Sequence, residues 1–173
     1  DPETGIGSWS DGELARAIRE GLDRDGQLIF PMLPYEWTNG LSDADALAMV
    51  AYLRSLPPVR NPVPANRPSF VAKAMPALGI MQPKPAITAV QTAPPRGPTA
   101  EYGKYLAGYA SGCAECHTPR DFSTGAYDFT RPLGGALAPF PEEGISPIPS
   151  NLTPDAATGM GNWTEQQFFT AMR

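Results

Sequence analysis

Both cysteines of this 173-residue chain and its single histidine fall within five consecutive positions, Cys113-Ala114-Glu115-Cys116-His117. Two thiols three positions apart with an imidazole adjoining the second spell the Cys-x-x-Cys-His pattern of covalent haem attachment. Each sulfur can form a thioether to the porphyrin, and the imidazole beside them is then held beneath the iron as an axial ligand. Two other chemistries compete for these residues. A thiol–disulfide redox pair normally opens a helix after a strand in a β-α-β pattern, and no such pattern precedes Cys113. A structural zinc site needs about four nitrogen or sulfur ligands, and the cysteines and histidine supply only three. The residues thus favour haem c, with Cys113 and Cys116 as anchors and His117 as proximal ligand, and leave a thiol oxidoreductase as a rival class.

The elements that must position this pentapeptide are helices and loops. Residues 99–111 place Tyr102, Tyr105, Leu106 and Tyr109 at i, i+3, i+4 and i+7, one face of a helix running into the attachment loop. Residues 42–55 form the clearest helical pattern, with Ser42 as N-cap, acids in the first turn and Arg54 in the last. Its expected buried stripe is Ala46, Met49, Val50 and Leu53, and Pro57-Pro58 stops it. The expected fold class is mainly α, with long loops around a haem that supplies part of the apolar core. The 21 prolines and a charged fraction of only 18% agree with a loop-rich chain.

Composition also excludes classes. A net charge of −5 argues against a nucleic-acid partner, which calls for a basic surface. It favours redox partners with a basic docking patch. No run of about 18 apolar residues is present to span a membrane, so any membrane association would be at the surface. No leader sequence is recognised, which points to a mature or trimmed chain. Haem c is attached outside the cytoplasm in bacteria, so the expected location is the periplasm or the outer face of the inner membrane.

The chain repeats itself. Thr4-Gly5-Ile6-Gly7-Ser8-Trp9-Ser10-Asp11-Gly12-Glu13 returns as Thr158-Gly159-Met160-Gly161-Asn162-Trp163-Thr164-Glu165-Gln166-Gln167, 154 positions later. Each copy predicts a helix start with a capping box, Ser10 with Glu13 and Thr164 with Gln167. At this offset the first copy lacks an attachment site and the second lacks a counterpart of residues 20–60. The expected organisation is residues 1–60 as the C-terminal part of a first domain, 61–97 as a Pro-rich linker, and 98–173 as the N-terminal part of a second domain holding the attachment site. A longer parent with at least two haems follows, as does a pairing of half-domains within or between chains.

A sixth iron ligand is expected in the Pro-flanked loop Phe30-Pro31-Met32-Leu33-Pro34-Tyr35, where the Met32 thioether could bind iron and raise its potential.

With these residues on the page, the chain resembles a class I cytochrome c of the multihaem bacterial type, similar to the cytochrome c subunit of membrane-bound alcohol, aldehyde or sugar dehydrogenases. The resemblance rests on Tyr102-Gly103-Lys104-Tyr105-Leu106, residues 113–120, Ser150-Asn151-Leu152-Thr153-Pro154-Asp155, both Thr-Gly-x-Gly-x-Trp segments and residues 30–35. It implies that Asn151, Thr153 and Trp163 line the haem edge and propionates, and that Pro132 fixes the histidine through its carbonyl. It implies electron transfer from a dehydrogenase subunit to a quinone pool or terminal oxidase, as a carrier more than as a catalyst. One departure stands out: the family's ligand methionine directly precedes the proline, whereas here Leu33 holds that place. If no methionine reaches the iron, the alternative is a five-coordinate haem enzyme or a protein responsive to gas or peroxide.

Overall fold

The first helix, α1 (Asp11–Glu20), begins where the sequence predicts and for the predicted reason. Ser10 Oγ accepts from the Glu13 N–H at 3.2 Å, while Glu13 Oε2 accepts from the Ser10 N–H at 2.7 Å, so two otherwise orphaned donors are met at once. Gly21 ends the helix in the left-handed region at φ 75°, its N–H bonded to the Ala17 carbonyl at 3.2 Å. These features belong to a computed structural model that describes all residues except 30–34, 65, 66, 68, 75, 80, 81, 122–125, 137–147 and 173. Met32 therefore lies outside the described residues.

The chain divides into two compact units, Asp1–Gly112 and Cys113–Arg173. In the first, α1 packs on α2 (Tyr35–Thr38) and α3 (Asp43–Ser55). The core is Leu14 and Ala17 of α1, Tyr35 and Trp37 of α2, Leu41, and Ala46 and Val50 of α3. Polar bonds tie the same elements: Thr38 Oγ1 donates to the Ile18 carbonyl and Asn39 Nδ2 to the Arg19 carbonyl at 3.0 Å, satisfying the last turn of α1. Arg19 reaches the Leu41 carbonyl at 3.1 Å and Asp43 at 2.6 Å. At the far end of α3, Arg54 clamps the turn before α1, donating to the carbonyls of Gly7 and Trp9 and, at 3.1 Å, to Asp11.

α3 keeps its predicted caps, with Ser42 Oγ accepting from the Asp45 N–H at 3.1 Å and the helix stopping before Pro57-Pro58. Its stripe is only half buried. Ala46 and Val50 are each 1% exposed, whereas Met49 and Leu53 are exposed and line a cleft of about 1170 Å³ with Tyr102 and Leu106. α3 packs on α1 with Ala46 and Val50 buried, while the Met49 and Leu53 side is left facing the cleft.

Part of the proline-rich stretch is pinned to this unit. Glu20 accepts from the Lys84 N–H through its carbonyl at 3.2 Å and from the Ile87 N–H through its carboxylate at 3.0 Å, and the Asp43 N–H donates to the Gln91 carbonyl at 2.9 Å. A short helix, α4 (Phe70–Ala74), lies within the same stretch. Next comes α5 (Ala100–Tyr105), capped by Thr99, which passes into a π-turn at Leu106–Ala110. The wider turn, closed by Ser111 N–H to the Leu106 carbonyl at 2.8 Å, carries one extra residue and breaks the i+7 register expected for Tyr109. Tyr109 instead sits against Gly40, where any Cβ would collide with its ring. Tyr105 is 5% exposed, accepts from the Ser42 N–H at 3.0 Å and donates to the Asp45 carboxylate.

The second unit holds α6 (Cys113–His117) and α7 (Glu165–Ala171) joined by loops. Among the described residues pairing is limited to isolated bridges, Leu22 with Leu28 and Arg120 with Tyr127, so the class is mainly helical as expected. The repeat is visible atom by atom. Asp1 Oδ1 accepts from the N–H of Glu3 and Thr4 and from the Thr4 hydroxyl; Asp155 Oδ1 accepts from the N–H of Ala157 and Thr158 and from the Thr158 hydroxyl. Gly5 and Gly7 donate to the Asp1 carbonyl, and Gly159 and Gly161 to that of Asp155. The duplicated element thus begins three residues earlier than the sequence match indicated, and α7 carries the second capping box.

Gly21→Ala is expected to destabilise the first unit by at least about 2 kcal/mol, because a left-handed alanine is strained and its Cβ would come within 2.5 Å of the Tyr35 ring. Urea denaturation followed through tryptophan fluorescence measures this, and an unchanged midpoint would show that the turn is free to rearrange. Tyr105→Phe leaves the buried Ser42 N–H without its acceptor, at a cost of about 1–3 kcal/mol. The same variant changes the acid limb. Hydrogen bonds from Tyr105 and then Ser42 hold the Asp45 carboxyl below its ordinary 3.8. That contribution is complete above pH 3.8 and is lost as pH falls through the depressed folded value, so the variant should show a flatter stability loss below that pH.

Candidate functional site

The pentapeptide forms a single helical turn whose orientation is set by what is buried beside it. Ala114, Thr118 and Pro119 are all but inaccessible, while Cys113 is half-buried, His117 half-exposed and Cys116 exposed. The Thr118 N–H donates to the Ala114 carbonyl at 3.1 Å, and Thr118 Oγ1 accepts from the Leu133 N–H at 3.2 Å. Small and β-branched residues thus form the buried side of the turn, leaving Cys116 exposed and Cys113 and His117 partly accessible.

Two loop segments meet behind the histidine. The Gly135 N–H donates to the His117 carbonyl at 2.7 Å, the Ala136 N–H to the Pro149 carbonyl at 2.9 Å and the Leu152 N–H to the Leu133 carbonyl at 2.8 Å. This close approach needs glycine: Gly135 lies at φ 87°, and a Cβ there would sit 2.9 Å from the Asn151 nitrogen. Leu133 adopts φ 63° without being glycine, a strained conformation held by the bonds on either side of it.

The result is a hydrogen bond of 2.7 Å between His117 Nδ1 and the Ser150 carbonyl. A carbonyl oxygen only accepts, so Nδ1 carries a proton, and in the neutral imidazole Nε2 is then the nitrogen whose lone pair can bind a metal. The carbonyl at the ring is that of Ser150, whereas Pro132, to which the resemblance assigned this contact, lies exposed in the 131–134 turn.

Both cysteines are free thiols. Burial pushes the Cys116 thiol up, and the neighbouring Glu115 carboxylate and Cys113 push in the same direction. Glu115 is itself raised by burial, with Arg120 opposing. Among the described residues there is no cluster of three or more His, Cys, Asp or Glu side chains arranged to hold a bare metal ion. The donor set instead fits a flat macrocycle that brings its own four nitrogens to iron, needing two sulfur anchors and one imidazole.

The remaining residues named from sequence lie in the following turn. Asn151 Oδ1 accepts from the Thr153 N–H at 2.9 Å and the Thr153 hydroxyl at 2.7 Å, and its Nδ2 donates to Thr158 at 2.9 Å. The side chains of Asn151 and Thr153 thus brace each other, and Trp163 stands half-exposed at the end of the same turn. Sequence reasoning missed Ser150, Thr118, Leu133 and Gly135. Ser150 acts through its backbone and Leu133 through a conformation its side chain does not announce, so neither carries a residue-type signal.

Among the described residues no helix is long and apolar enough to cross a membrane. No family model matches the chain. Curated relatives do. A subunit of the nicotinate dehydrogenase of Pseudomonas putida is 32% identical over 98% of this chain and 14% of that protein. The cytochrome c subunit of the quinone alcohol dehydrogenase of Gluconobacter oxydans is 29% identical over 100% of this chain and 37% of its own length. The fructose dehydrogenase cytochrome subunit of Gluconobacter japonicus is 28% identical over 98% and 34% respectively. The chain therefore spans well under half of each of these relatives. The helical fold and a homology that runs along essentially the whole chain relate it to the cytochrome c subunits of dehydrogenases, and these homologues imply covalently bound haem c as its cofactor.

Proposed function

We propose that Cys113 and Cys116 anchor the haem, that His117 Nε2 is its proximal ligand, and that the chain passes electrons from a dehydrogenase to a quinone or a terminal oxidase. The observation that carries this reading is the His117–Ser150 hydrogen bond, which commits Nδ1 as the donor and leaves Nε2 as the nitrogen for the iron, next to two free cysteines. Bound haem would supply an iron that changes oxidation state by one electron without substrate bonds being made or broken. The residues do the rest. Each thiol joins by adding its S–H across a vinyl group, the sulfur forming a bond to one carbon and the proton going to the other, so no oxidant is consumed. The Ser150 carbonyl increases the basicity of the imidazole and so favours the ferric state. Asn151, Thr153 and Trp163 are assigned to the haem edge and propionates.

In the same reading, residues 1–60 and 98–173 are parts of successive haem domains, and the location is the periplasmic side of the inner membrane, where such a haem is attached. Relatives that are themselves cytochrome subunits of dehydrogenases support a dehydrogenase as donor. The formal charge of −5 favours a partner with a basic docking patch.

Expression in a host competent for haem c attachment should yield a chain whose intact mass is increased by one haem. Replacing both Cys113 and Cys116 with alanine should abolish the increase. A colourless chain with both thiols open to alkylation would refute the assignment. The absorption spectrum distinguishes carrier from reactive site: a weak far-red ferric band marks methionine ligation, a high-spin spectrum an open iron. Met32→Ala should eliminate that band if Met32 is the sixth ligand, and a spectrum unaltered by the change removes Met32 from that role.

A further inference from the structure

The carbonyl on His117 Nδ1 belongs to Ser150, 33 positions away, so the ring is oriented by tertiary bonds that a short turn at 133–136 relays. Two backbone donors of that turn reach the haem-motif helix and the residue after it. The Gly135 N–H donates to the His117 carbonyl at 2.7 Å, and the Leu133 N–H donates to Thr118 Oγ1 at 3.2 Å. On its other side the turn holds the 149–152 segment, the Leu133 carbonyl accepting from the Leu152 N–H at 2.8 Å and the Ala136 N–H donating to the Pro149 carbonyl at 2.9 Å. The Gly135 tie runs from backbone to backbone and is indifferent to residue type. The Leu133 tie ends on a side chain, so it is the one the sequence can set. Thr118 is 1% exposed, and a hydroxyl buried to that degree is costly unless it is hydrogen-bonded. Valine has nearly the same shape without that cost, so packing alone does not call for threonine here. Among the described residues Leu133 is the one non-glycine residue at positive φ, at 63°. Such a backbone persists only where its surroundings over-determine it.

We propose that Thr118 is a positioning residue for the haem iron: its hydroxyl oxygen holds Leu133 in the left-handed conformation, and Leu133 thereby keeps the Ser150 carbonyl on His117 Nδ1 and the reduction potential low. The inference rests on the reading of His117 as proximal ligand and adds a residue that acts on the ring through Leu133. Without that oxygen the Leu133 N–H loses its acceptor, and the strained residue relaxes toward negative φ. Its carbonyl then turns away from the Leu152 N–H, and the 149–152 segment loses one of the two ties named above. The Ser150 carbonyl is no longer held at 2.7 Å from the ring nitrogen. A proximal imidazole with a weaker Nδ1–H bond is a less basic ligand, and it stabilises ferric iron less. A threonine that served packing alone would change stability when replaced and leave the potential where it was.

The test uses the chain with haem c attached and compares the parent with Thr118→Val, Thr118→Ala and Thr118→Ser. Proton NMR of the ferric protein follows the hyperfine-shifted His117 ring, and a redox titration gives the potential. Thr118→Val and Thr118→Ala should speed solvent exchange of the His117 Nδ1 proton by about tenfold. They should also raise the ferrous-to-ferric ratio at a fixed ambient potential by about threefold, where tenfold corresponds to about 59 mV for one electron. The alanine variant supplies the reading if the valine chain does not take up haem. Thr118→Ser keeps the oxygen and should return both quantities to those of the parent. Exchange and potential unchanged in the variants without the oxygen, with only the urea midpoint lowered, would overturn the proposal. So would a serine variant that behaves as the valine variant does. A parent chain lacking the shifted His117 ring signals would overturn the ligand assignment and the relay with it, whereas those signals beside unaltered variants overturn the relay alone.

Discussion

One hydrogen bond, from His117 Nδ1 to the Ser150 carbonyl, is the constraint on which the chemistry of the second unit depends. An imidazole free to rotate or to exchange tautomers offers a metal either nitrogen or neither. Fixing one nitrogen as a donor to a carbonyl makes the other a committed ligand. The loops around it serve this contact. Ser150 is held because Pro149 and Leu152 on either side bond to Ala136 and Leu133, and Gly135 between those two bonds back to His117 itself. The cycle closes on the residue it positions. Its strained member is Leu133, whose left-handed backbone costs about 1 kcal/mol. The bonds at its N–H and its carbonyl are worth about 1 kcal/mol each, so the strain is more than offset.

What was legible in the sequence follows from what the physics leaves as a residue-type signal. Capping boxes are legible because hydroxyl and carboxylate must stand three residues apart, and Ser10 with Glu13 and Thr164 with Gln167 form as expected. The pentapeptide at 113–117 stands out in the sequence because covalent haem attachment calls for those residue types at that spacing. The stripe of α3 was read only in part: Ala46 and Val50 are buried, but Met49 and Leu53 face a cleft, since periodicity reports an apolar face and cannot say how much of it a neighbour covers. The π-turn after Tyr105 was invisible, as one added residue leaves composition and local propensity unchanged while shifting Tyr109 towards Gly40. Ser150 was out of reach for a simpler reason: a backbone carbonyl has no letter of its own.

The first unit shows how a polar side chain can join segments distant in sequence. Tyr105 is separated from Ser42 by 63 positions, yet its phenol accepts the Ser42 N–H and donates to the Asp45 carboxylate that shares the cap. Burial raises the phenol's pKa, with the Asp45 hydrogen bond acting in the same direction, so it stays protonated and able to donate across the ordinary pH range. Glu20 plays a comparable part, its carbonyl and carboxylate receiving backbone donors from residues 84 and 87. In both cases the long connection is secured at a helix terminus, where backbone groups lack partners within the helix and any donor or acceptor supplied from elsewhere is welcome.

The duplicated turn separates local from tertiary causes of structure. Asp1 and Asp155 organise the same hydrogen bonds, and both following helices start with a capping box, yet one is buried and the other exposed. Local chemistry is therefore sufficient to write the turn and launch the helix. It is not sufficient to hold it: a seven-residue helix is far below the 12–15 residues at which isolated helices become even marginal in water, and a cap contributes only about 1 kcal/mol. For α1 the remainder comes from burying Leu14 and Ala17 and from the carbonyls that Arg54 gathers. Its ion pair with Asp11 is exposed and adds little by itself. The guanidinium matters because it joins several carbonyl acceptors of one turn to a helix 45 residues away, a tertiary link that no local pattern in residues 1–20 encodes.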